Sequence, residues 1–242
     1  MRPLLAWLVG AGLLLAAAPV LADPLRDALG QGTDLAAPLR QLGLLTALSL
    51  LPAILIAMTS FTRIVIVLSM VRSALGLQQT PPNAVLITLS LFLTLFSMMP
   101  VLQSAKDHAV DPWMNKSMDT VTAVQAGFVP FKAFMIRQTR ESDLRAVVDM
   151  AGAPQPKTLA DVQALHLVPA FMISELRTAF QIGFVIFLPF LLIDLVVAAI
   201  LMALGMIMVP PATVSLPLKV LLFLLINGWV LVAQAVLGSY RH

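Results

Sequence analysis

Four ionisable residues stand inside otherwise apolar sequence: Arg63, Glu175, Asp194 and Lys219. A lone charge in such surroundings costs a few kcal/mol on insertion scales, so it must face protein or water rather than lipid. Asp194 separates the apolar runs 178–193 and 195–218, and Lys219 precedes a third run, 220–240. With apolar neighbours on both sides, Asp194 is expected in a buried pair or an assembly contact, with Lys219 and Arg63 as candidate partners. Lys219 also suits snorkelling to an interface. Arg63 reads equally as an interfacial anchor or as the partner of Asp194 or Glu175. Glu175 lies in Ser174-Glu175-Leu176-Arg177, where a helix start capped by Ser174 competes with an intersubunit bridge.

Enzyme chemistry finds little to work with. There is no H-E-x-x-H, G-x-S-x-G or P-loop pattern. His108, His166 and His242 are scattered without metal-ligand spacing, and the chain contains no cysteine. Glu175 and Asp194 are too far apart in sequence to act as a local carboxylate pair. No catalytic residue, cofactor or metal site is predicted.

A second group could work by softness rather than reactivity. Met202, Met206 and Met208 surround Gly205-Met206-Ile207-Met208-Val209-Pro210-Pro211. Paired prolines lack amide donors and hold the preceding residue extended, so the helix must break there. Flexible thioethers at a turn between two helices are out of place, because Met ordinarily fills cores.

The elements that carry these residues are hydrophobic helices. Of 242 residues, 60% are hydrophobic and only 11% charged, and the mean hydropathy is +0.95. That places the chain in the membrane class. A net charge of +3, with no basic run, gives no reason to expect a nucleic-acid partner. Residues 1–22 have the layout of a signal peptide: Arg2, an apolar region broken by Pro19, and Val20-Leu21-Ala22 before Asp23. Cleavage between Ala22 and Asp23 is favoured over an uncleaved first helix. Residues 23–40, with Pro24, Gly30, Gly32 and Pro38, read as a mobile lead-in.

Residues 41–105 predict a first hydrophobic hairpin. The stretch 41–62 is uncharged and of bilayer length, 64–71 continues it, Pro81-Pro82 breaks it, and 83–105 is again uncharged. Residues 106–168 change character, with seven Lys/Arg balanced by seven Asp/Glu. This predicts a soluble, mostly helical insertion. Within it Phe128, Phe131 and Phe134 recur at helical spacing, either as a packing stripe or as an apolar constriction. Residues 169–242 predict a second hydrophobic hairpin around the Met-rich turn, with 212–237 as its return arm. From a cleaved signal, 41–72 runs inward and 83–105 outward, leaving the insertion periplasmic. The fold class is therefore an all-α membrane protein: two hydrophobic helical hairpins joined by a mostly helical periplasmic insertion.

Several of these segments carry a resemblance. PAFMISELRTAFQIGFVIFLPFLLIDLVVA and PLKVLLFLLINGW resemble the two signature blocks of the FliP family. The stretch 52–101 resembles that family's first hydrophobic pair, and FKAFMIRQTRESDL (131–144) extends the similarity into the insertion. Asn227 departs from the family's more frequent Asp.

The resemblance implies the core membrane subunit of the flagellar type III export gate, a conduit for unfolded export substrates at the basal body in the bacterial inner membrane. It also implies assembly into a helical oligomer and partners: further copies of the chain, smaller membrane subunits resembling FliQ and FliR, and export components such as FlhA and FlhB. It implies that Met202, Met206 and Met208 line a pore gasket, where the residues taken without it read as ordinary packing. The alternative, a small-solute transporter or channel, predicts internal repeats and a midplane site; the two hairpins show no clear repeat.

Overall fold

The computed structural model describes residues 41–43, 45, 46, 49, 53, 54, 56–159 and 161–240. The expected signal peptide, its cleavage at Ala22 and Asp23, and the lead-in 23–40 lie outside the described residues. The chain divides into two units, Met1–Ala53 and Ile54–His242. In the first, the described residues are helical, and the Thr46 and Ser49 hydroxyls donate to the carbonyls of Leu42 and Thr46.

The second unit is helical throughout its regular structure among the described residues. A turn at 58–60 precedes α1 (Phe61–Ala74), so the expected continuous run 41–72 is interrupted. In α1, Ile64, Val67, Leu68, Val71 and Ala74 are buried, the spacing of one helical face. Gly76 ends it at φ 77°: its amide donates to Ser73 and that of Leu77 to Arg72, closing the last turn through a left-handed residue.

Helix α2 runs Asn83–Ala105 and continues through a π turn, Lys106–Val110, into Asp111–Met114. The insertion supplies α3 (Thr120–Gln138) and α4 (Glu141–Met150). Asp119 caps α3 by accepting from the amides of Val121 and Thr122.

Helix α5 (Ala164–Ala203) has 40 residues, about 60 Å of helix and so roughly twice a hydrocarbon core. It starts earlier than the expected 169 and carries Pro169 and Pro189 within it. Its first half packs against α3 and α4. Its longest stretch free of Asp, Glu, Lys and Arg runs from 178 to 193, between Arg177 and Asp194. It ends at Gly205, φ 74°, with the Met206 amide donating to Leu201, before Pro210 and Pro211 open α6 (Pro211–Leu225).

The expected return arm 212–237 is broken. Asn227 adopts φ 53°, ψ 48°, and α7 (Gly228–Gly238) leaves α6 at 66°. Asn tolerates the left-handed region better than most residues. The bend brings Gly228 against the Phe223 ring, where a Cβ would lie 2.2 Å from ring carbons.

Among the described residues two helices, Asn83–Met114 and Ala164–Ala203, are long and apolar enough to cross a membrane, and α6–α7 makes a third if the bent pair is one span. Two apolar clusters hold the unit together. One joins α1, α2, α5, α6 and α7 through Val67, Leu93, Ala179, Phe190, Phe223 and Val236. The other joins α2, α3 and α5 through Met98, Val101, Phe134, Met135, Leu167 and Phe171.

Candidate functional site

Arg63 is the centre of a buried polar knot. It projects from the first turn of α1 and is 2% exposed; Glu175, in α5, is fully enclosed. Nε donates to Glu175 Oε2 at 2.9 Å, and Nη2 donates to Oε1 of the same carboxylate. Nη1 donates to Ser239 Oγ at 2.8 Å and to the Ser239 carbonyl at 3.3 Å, while Nη2 also reaches Gln138 Oε1 at 3.3 Å. A guanidinium has five N–H groups, and all five are engaged. The Tyr240 ring lies under the guanidinium, 3.9 Å from Cζ, and its hydroxyl donates to Glu175 Oε2 at 2.7 Å. One side chain thus ties α1, α3, α5 and the end of α7. In the low dielectric of such an enclosure, a charge is tolerated only with this degree of pairing.

Glu175 is therefore mid-helix, and the alternative of a helix start capped by Ser174 is corrected. Ser174 Oγ instead donates to Asp143 Oδ2 at 2.7 Å and accepts the Arg140 amide at 3.0 Å, fastening the start of α4 to α5. Arg140 Nη2 also donates to Gln181 Oε1 at 2.6 Å. Arg63 is no interfacial anchor, since solvent does not reach it.

Asp194 pairs with Lys219, not with Arg63. Lys219 Nζ donates to Asp194 Oδ2 at 2.5 Å and to the Ala74 carbonyl at 3.4 Å, joining α5, α6 and the end of α1. Lys219 is buried, so it does not snorkel, whereas 43% of the Asp194 side chain is exposed. The carboxylate opens onto a cleft of about 680 Å³ between the end of α1, α5 and the start of α6.

The Met-rich turn is the opposite case. Met202 and Met206 are exposed, and Met208 is 96% exposed. Among the described residues, none of the three belongs to either apolar cluster. Of the aromatic stripe, Phe134 is enclosed, edge-on to Phe171 at 5.8 Å and stacked on Tyr240 at 6.0 Å. Phe128 and Phe131 are half-buried against the same cluster. In the protomer, then, Phe134 serves the core rather than a constriction.

Sequence reasoning missed Ser239, Tyr240, Gln138 and Asp143. The one available signal was Tyr240, the only tyrosine, placed just past an apolar run.

A family model described as the FliP family matches residues 44–236. Three similar relatives are each named flagellar biosynthetic protein FliP. That of Pectobacterium carotovorum subsp. carotovorum is 54% identical over 196 residues, covering 81% of this chain and 74% of the relative. That of Bacillus subtilis is 50% identical over 197 residues, 81% of this chain and 89% of the relative. That of Caulobacter vibrioides is 47% identical over 215 residues, 88% and 81% respectively.

Proposed function

The chain belongs to the FliP family, and on that premise we propose that it is the core membrane subunit of the flagellar type III protein export gate. In this reading several copies assemble with smaller subunits resembling FliQ and FliR, near components such as FlhA and FlhB, in the bacterial inner membrane. The α3–α4 insertion faces the periplasm. The assembly encloses a conduit for unfolded flagellar subunits and catalyses no reaction itself.

The observation that carries the conduit reading is the exposed turn after α5. A membrane-length helix leads into a turn carrying Met206, Ile207 and Met208, which are exposed and belong to neither apolar cluster among the described residues. Gathered at one level by several copies, these side chains form a ring that excludes water. Thioethers are flexible and polarizable, so the ring deforms around a passing polypeptide and closes behind it. Arg63 and its partners hold the helices that aim the turn. The transporter alternative gains no support from relatives that all carry the flagellar name.

Replacing Met206 and Met208 together by Ala tests the ring. Ion leakage through membranes containing the intact complex is expected to rise. A membrane as tight as wild type, with assembly unchanged, sinks the gasket.

A further inference from the structure

We propose that the cleft beside Asp194 receives Arg72 of a neighbouring copy of this chain. The proposal rests on the oligomeric reading above and adds the contact that sets the spacing between copies. The cleft is walled by Ser73–Gly76, by Phe187, Leu191 and Leu195 of α5, and by the first turns of α6. Its only ionisable linings are Asp194 and Lys219. Lys219 is buried and committed to Asp194 and to the Ala74 carbonyl. Asp194 still presents 43% of its side chain to the opening. Whatever fills an otherwise apolar cleft removes water from that carboxylate, so the occupant must bring donors and positive charge.

Arg72 has the matching deficit. Its Nη1 donates to the Pro81 carbonyl at 3.1 Å and to Asn83 Oδ1 at 2.7 Å. Its Nε–Nη2 edge makes no hydrogen bond, and no carboxylate lies within ion-pair distance of it, among the described residues. That edge binds a carboxylate side-on through two parallel bonds. Height and direction agree as well. The Lys219 bond to Ala74 sets Asp194 level with the last turn of α1, which carries Arg72. Rotation about an axis along the membrane normal keeps that level from copy to copy. Arg72 is fastened to the start of α2 through Pro81 and Asn83 and does not line the cleft, so donor and acceptor are separate patches of the chain. A head-to-tail ring requires that separation.

The absence of cysteine allows a direct test. Two differently tagged chains, one with Asn83→Cys beside Arg72 and the other with Leu195→Cys in the cleft, are co-expressed and treated in membranes with a short bis-maleimide. A dimer carrying both tags is expected, and Leu225→Cys in place of Leu195→Cys is expected to give none. Adding Arg72→Ala to the Asn83→Cys chain lowers the yield roughly tenfold, the loss of a charge-assisted pair. A multi-copy complex by native mass without the doubly tagged dimer overturns this contact and leaves the oligomer standing. A yield unmoved by Arg72→Ala also overturns it. A single-copy native mass overturns the oligomeric reading, and the contact with it.

Discussion

Removing one member of the Arg63–Glu175 pair should harm the fold more than removing both. Arg63 is 2% exposed and Glu175 fully enclosed, so neither charge left alone can recover water. In Glu175→Leu the guanidinium keeps only Ser239 and Gln138 as hydrogen-bond partners, with the Tyr240 ring beneath it; in Arg63→Met the carboxylate keeps only the Tyr240 hydroxyl. Each single change is expected to cost about 3–5 kcal/mol, the range for a broken buried pair. In the double variant no charge remains, and the main loss is the bonding of Tyr240 and Ser239, about 1–3 kcal/mol. The singles would sum to about 6–10 kcal/mol, so the coupling energy should be at least about 3 kcal/mol. The assay is unfolding of wild type, both singles and the double by SDS titration in detergent micelles, followed by circular dichroism. A double variant whose loss equals the sum of the singles within about 0.5 kcal/mol would refute the reasoning.

The second pair should respond more mildly. Lys219→Met leaves a half-exposed carboxylate, so the same titration should register about 1–3 kcal/mol, less than Arg63→Met. Gly228→Ala places a Cβ 2.2 Å from a Phe223 ring that is itself held against Trp229 and Phe190. Overpacking of about 1–3 kcal/mol is expected, whereas Gly238→Ala, with nothing nearby, should be neutral or stabilising. At α3, bonds from Thr122 and then Val121 hold the Asp119 carboxyl below its ordinary value. A depressed folded value stabilises above the unfolded one, so the cap is intact at neutral pH and lost as pH falls through the depressed value. Amide exchange at Val121 and Thr122 should accelerate on strong acidification in wild type but not in Asp119→Asn.

Much of the frame was legible because apolar length and breakers act locally. The turns after α1 and α5 follow from Gly76 and Gly205 together with the prolines beyond them, and charge in the insertion marked where the hydrophobic sequence stops. The four isolated charges were also visible, since apolar surroundings make any charge conspicuous. Their pairing was legible only as alternatives, Lys219 or Arg63 for Asp194 and Asp194 or Glu175 for Arg63. Arg63 meets Ser239 across 176 positions, and only folding decides that Glu175, not Asp194, faces it. The start of α5 was missed because Pro169 looks like a boundary, yet packing on α3 and α4 carries the helix through it. The bend at Asn227 was hidden for another reason: its identity invites a question of charge, whereas its work is done by a backbone angle.

The central claim, a multi-copy subunit of a protein export gate, is tested most directly by the native mass of the tagged chain. It should be co-expressed with its genomic neighbours and extracted in mild detergent. The account predicts a large complex holding several copies of this chain together with smaller hydrophobic subunits. A stable particle containing one copy and no partner would contradict it.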